Sequence, residues 1–174
     1  MNTSHEQSNM NPSTSHIAVD TLAWLIEDAF EGDPSHSLLA NLHDLREEDW
    51  TATPGSGGRS IADILEHVGW SKWMYEDYAF GTASLRGDVP PLVPAGGARS
   101  RPHDELLPWL TEGHRRWLAS VRALADDHEL DRERLTNWGE RLPTGINVEP
   151  HGVGVADRVE PVPAPPFAEP RRSK

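Results

Sequence analysis

Proline decides how much of this chain can be helical. Seven of its fifteen prolines fall in the last 32 residues: Pro143, Pro150, Pro161, Pro163, Pro165, Pro166 and Pro170. Each removes a backbone donor and fixes φ, so this density forbids a helix and any central strand. Residues 143–174 are therefore expected to form a disordered, Pro-rich tail. The charge changes at the same point. Beyond Leu142, Glu149, Asp157, Glu160 and Glu169 are balanced by Arg158, Arg171, Arg172 and Lys174, so the net charge of −12 belongs to residues 1–142. The Ser/Asn/Thr-rich start, residues 1–17, is too polar to pack and is also expected to be disordered. The folding unit is expected over residues 18–142.

Composition excludes several classes of function. With no cysteine there is no disulfide, no thiolate zinc site and no cysteine nucleophile. With 28 acidic against 16 basic side chains, a nucleic-acid or anionic-membrane surface is not expected. No run of about 18 apolar residues offers a membrane span. The N-terminus lacks the basic-then-apolar pattern of a signal peptide. The expected location is cytoplasmic.

Within residues 18–142 the apolar spacing predicts three amphipathic helices and no strands. The first carries Val19, Leu22, Ala23, Ile26 and Phe30 on one stripe. It is broken at Gly32 and is expected to restart at Asp33 as N-cap, with Pro34 in the first turn, running to about Arg46. Residues 50–58, with Pro54, Gly55, Gly57 and Gly58, predict a loop. Ser60 and Asp63 then form a capping signal for a second helix, about 61–80. A connection of some twenty residues, 81–101, shows no periodicity. A third helix is expected over about 102–124, and an extended piece at residues 135–139. This predicts an all-α, up-down helical bundle with only three clear helices. Three faces this wide would ordinarily enclose a fourth.

Nine histidines and no cysteine confine any metal site to imidazoles and carboxylates. Most of the histidines fall at helix ends, in exposed positions or in the polar termini. His67 falls among Ile64, Leu65 and Val68, on the flank of the apolar stripe of the second helix. There its two ring nitrogens need partners, supplied by a metal or by a backbone carbonyl or hydroxyl. His114, between Leu110 and Leu118 on the third helix, is a weaker candidate ligand. Two imidazoles alone make a poor site, and no His-x3-His pair exists in the chain. The Gly55–Gly58 loop lacks the lysine of a phosphate loop. The seven tryptophans at helical spacing read as core.

Several stretches together resemble the DinB-like (damage-inducible) superfamily. They are Leu38-Leu-Ala-Asn-Leu, Glu48-Asp-Trp50, Pro54 through His67-Val-Gly, Met74-Tyr-Glu-Asp-Tyr-Ala-Phe-Gly81 and Gly113-His-Arg-Arg-Trp117. The superfamily includes mycothiol-dependent maleylpyruvate isomerases and bacillithiol and mycothiol S-transferases. The resemblance implies a four-helix bundle, often dimeric. It also implies Zn²⁺ or Ni²⁺ held by three histidines, and a low-molecular-weight thiol as cofactor. His67 matches the ligand on the second helix. The other two ligands belong to a His-x3-His on a fourth helix, where this chain has Pro143-Thr-Gly-Ile-Asn-Val-Glu-Pro-His-Gly and no such motif. The expectation is a metal-deficient, weakly active or inactive thiol transferase or isomerase scaffold, with a C-terminal segment that is frame-altered or replaced. The alternative is a non-catalytic interaction module that forms a homodimer through its uncovered bundle face.

Overall fold

A computed structural model describes residues 15–55 and 57–148. Three long helical elements dominate. α1 (Ile17–Glu27) runs into a π-helical turn at Asp28–Gly32, where its stripe ends on the buried Phe30. α2 (Leu38–Leu42) and α3 (Glu47–Thr51) are single turns in the connection that follows. α4 (Ile61–Phe80) and α5 (His103–Arg122) are the two twenty-residue helices. The all-α expectation holds for the body of the molecule.

Local chemistry explains where these elements start. Ser60 caps α4: its hydroxyl accepts from Asp63 N, while the Asp63 carboxylate accepts from Ser60 N. This reciprocal pair satisfies two donors that a helix leaves orphaned. Asp33 behaves differently from the expected N-cap. Its carboxylate accepts from the backbone of Ser35 and His36 to make a turn, and the next helix begins one step later, capped by Ser37. Trp50, expected in a loop, is instead buried on α3.

Helix directions follow from the contacts. Along α1 and α5, Val19 meets Asp127, Glu27 meets Arg122 and Phe30 meets His114, so these two run antiparallel. Along α4 and α5, Gly69 meets Trp109, Lys72 meets His114 and Glu76 meets Ser120, so these two run parallel. The order is up, down, down, and the simple up-and-down alternation fails at the α4–α5 pair. Parallel neighbours need a return crossover, which is the physical reason for the long segment between residues 81 and 102. That segment is held onto the bundle by Leu92, packed with Trp73 and Met74, and by the Asp77 carboxylate, which accepts from the backbone of Thr82, Ser84 and Leu85.

The ordered fold continues past Leu142. β1 (Glu133–Leu135) pairs antiparallel with β2 (Arg141–Pro143), and α6 (Thr144–Val148) follows. Thr144 is fully buried, donates to Arg132 O and accepts from Arg134. A strand-free domain ending at residue 142 is thus corrected: Pro143 sits at a strand end, where the missing donor costs nothing. This hairpin lies over the C-terminal half of α4, with Arg134 bonded to Ala79 O and stacked on Phe80. The expected tail beyond Val148, including His151, and the first fourteen residues lie outside the described residues.

Candidate functional site

His67 and His114 sit on different sides of α4. Five residues of helix separate His67 from Lys72, the partner of His114, which turns the two positions well away from each other.

His67 is exposed, not on the flank of a buried stripe. Ile64 and His67 share an exposed face of α4, and Ile64 itself is 47% exposed. α4 presents Leu65, Gly69 and Trp73 to α5 instead. The hairpin and α6 cover only the far half of the helix. His67 lines a cleft of about 630 Å³ between α4 and the crossover, shared with Arg59, Asp63, Glu66, Trp70 and Arg99. Its ring stacks loosely on Trp70, and partial burial together with the charge of Arg59 moves its pKa downward. Both nearby carboxylates are already engaged. Asp63 accepts from Ser60, and Glu66 pairs with the buried Arg101, which also donates to Pro91 O and lies over Trp109.

His114 is buried at 3% exposure between α1 and α5. It stacks on Phe30 with ring centroids 3.8 Å apart, and its Nδ1 lies 3.2 Å from Lys72 Nζ. Its Nε2 is buried without a partner. Burial first, then the charges of Lys72 and Arg122, push its pKa down to about 3, so the ring is neutral. Burial likewise pushes the Lys72 ammonium down to about 8. That ammonium lies 4.5 Å above the Trp117 ring. His114 also forms part of the wall of a second cleft, of about 640 Å³, between α1 and α5.

The family enters here. The DinB superfamily model matches residues 33–147. The chain belongs to the DinB superfamily. No curated protein and no solved structure matches it. The match runs through β2 and most of α6, so those elements of this DinB protein lie inside the region the family describes.

The metal implied for DinB proteins can be tested against the donors in place. Zn²⁺ takes three or four protein ligands at about 2.0–2.2 Å. Among the described residues no three His, Asp or Glu side chains converge on one point. Around His67 stand two guanidiniums, Arg59, which donates to Asp63 O, and Arg99, and both oppose a cation. Around His114 the nearest polar atom is itself cationic. The described residues do not fit the metal, and among them no other ligating side chain joins His67 at one point.

Lys72 is the group that the spacing of apolar residues missed. A signal did exist: Lys72 and Lys174 are the only lysines in the chain, against fourteen arginines.

Proposed function

We propose that this DinB protein is a divalent-metal-dependent thiol transferase or isomerase scaffold by ancestry, one that holds metal weakly and turns over little. We place it in the cytoplasm, where low-molecular-weight thiols are kept reduced. The observation that carries this reading is the setting of His67. It is an exposed imidazole beside Arg59 and Arg99, with Asp63 and Glu66 committed elsewhere and no group of three ligating side chains among the described residues. An exposed single imidazole leaves most of the coordination shell to water and confers little affinity. The test is metal content of the full chain after loading with Zn²⁺ or Ni²⁺ and dialysis. Well below one equivalent is expected, and about one equivalent retained would sink the reading.

A second reading is a non-catalytic dimerisation module. It is favoured by the outward side chains of α1, where Ile17 is 77%, Trp24 58% and Leu25 44% exposed. His67→Ala separates the two readings. Loss of residual metal and activity supports a vestigial site, whereas unchanged metal content with only a small stability change supports the module.

A further inference from the structure

Arg99 differs from the other arginines of the described residues. Each of the others donates to a carboxylate, a carbonyl or a hydroxyl. Arg99 has no hydrogen bond and no ion pair among these residues. Acids are not scarce in this chain, which carries 28 of them against 16 basic side chains. Arg99 lies instead on the wall of the cleft between α4 and the crossover, with Arg59. Arg59 comes from the start of α4 and Arg99 from the end of the crossover, so two separate segments each bring a cation. Bonds to Ser60 first, then the charges of Arg59 and Arg99, hold the Asp63 carboxyl below its ordinary range, so both guanidiniums are near that one point. Arg59 uses one N–H on Asp63 O and keeps the rest of its five donors.

The carboxylates of the cleft do not cancel this charge. Glu66 is answered by Arg101. Asp63 accepts from the backbone and hydroxyl of Ser60, which leaves it facing both Arg59 and Arg99. The cleft is therefore net positive in a chain of net charge −12. Its volume of about 630 Å³ is that of a small-molecule site. Half-buried Trp70, with Leu92 and Pro94, gives it an apolar wall beside the two cations.

We propose that the cleft between α4 and the crossover binds a small phosphate monoester that carries a flat organic group, with Arg59 and Arg99 on the phosphoryl oxygens and the organic group against Trp70. The number of cations favours phosphate over carboxylate. A carboxylate is satisfied by a single guanidinium fork, whereas a phosphoryl group offers three oxygens and close to two charges at neutral pH. Two forks from two segments meet such a group from two sides. The Trp70 wall accounts for the organic part, because an indole face packs a flat ring at little entropic cost. The proposal concerns the cleft of the metal reading but needs no metal in it.

The probe is phenyl phosphate, titrated into the full-length chain at low salt after treatment with a chelator. The readout is the NMR signals of the Trp70 indole and the His67 ring. Both are expected to move saturably, with a Kd on the order of 1 mM for a ligand of this size. Inorganic phosphate, which has nothing to lay on Trp70, should bind about fivefold more weakly. Arg99→Gln should weaken phenyl phosphate about fivefold, the most that one exposed ion pair supplies. It should melt like the wild type, because Arg99 bonds to none of the described residues. Three results would each overturn the proposal. They are no saturable shift at about twenty times that Kd, inorganic phosphate binding as tightly as the ester, and Arg99→Gln binding as tightly as the wild type. The chelated chain carries no metal, so this outcome and the metal assay are decided separately.

Discussion

At the scale of single residues, the interior imidazole makes folding sensitive to mild acid. The pKa of His114 falls from 6.5 to about 3 on folding. Between those values the unfolded chain binds a proton that the folded chain refuses, so stability rises with pH across the window and drops as pH falls below 6.5. The slope approaches about 1.4 kcal/mol per pH unit for one such group. Asp33, Asp63 and Asp127 have lowered pKa values, so their contribution begins to be lost as pH falls through the ordinary carboxylate value of 3.8 and is gone below their folded values. The interval from about pH 6.5 to 4.5 therefore belongs to the histidines. His67 shifts in the same direction but is exposed, so it contributes less. Urea midpoints measured across this interval should fall steadily in the wild type. His114→Phe keeps the flat ring against Phe30 and should remove most of the slope, whatever it does to stability at pH 7. An unchanged slope would mean that His114 is not held neutral in the interior. The burial of His114 was legible, because four-residue spacing from both Leu110 and Leu118 puts it on the core face. The Lys72 contact was not, because helical spacing says which face a residue is on and nothing about what the facing helix presents there.

At the scale of elements, α4 and α5 meet through glycine and tryptophan. A Cβ built on Gly69 would lie 2.2 Å from Trp109, and one on Gly113 would lie 2.7 Å from Trp73 Nε1. Neither indole is free to yield. The Arg101 guanidinium lies 3.8 Å over the Trp109 ring, and Trp73 Nε1 donates to Trp109 O. Two effects oppose each other at Gly69. Alanine favours a helix interior by about 1 kcal/mol over glycine, while forcing a methyl group into a packed contact costs about 1–3 kcal/mol. Because the obstructing ring is pinned, the clash should win. Gly69→Ala is expected to lower stability by about 2 kcal/mol in chemical denaturation. A variant as stable as the wild type, or more so, would show that the helices can separate at this point. The start of α4 was readable because a capping pair is written in consecutive residues. The β1–β2 hairpin was not, because three-residue strands carry no period and the charged run before them looks like a solvated turn. The parallel pairing of α4 and α5 was written only in the length of the crossover.

At the scale of the whole molecule, the question is what covers the surfaces a bundle of this size leaves open. Inside, the core is continuous from Val19 and Ile26 on α1 to Trp117 and Val121 on α5. Outside, α1 turns Ile17, Trp24 and Leu25 to solvent at positions seven and eight apart, a single stripe. Such a stripe favours association, and the net charge of −12 opposes it. The charge term acts over the Debye length and weakens as salt shortens it from about 30 Å at 0.01 M to about 8 Å at physiological strength. Burial of the apolar stripe does not weaken in this way. If the dimerisation reading holds, self-association should therefore strengthen with added sodium chloride, opposite to an interface built on ion pairs. Sedimentation at tens of micromolar should show a mass that climbs from monomer toward dimer as salt is raised. Trp24→Glu, which removes the largest apolar side chain of the stripe and adds a charge, should stay monomeric while melting close to the wild type, because Trp24 is 58% exposed and lies outside the core clusters of the described residues. A wild-type chain that remains monomeric at every salt concentration would remove the dimerisation reading. A Trp24→Glu chain that still associates would move the interface off α1, with the open α4 face at Ile64 the next surface to test.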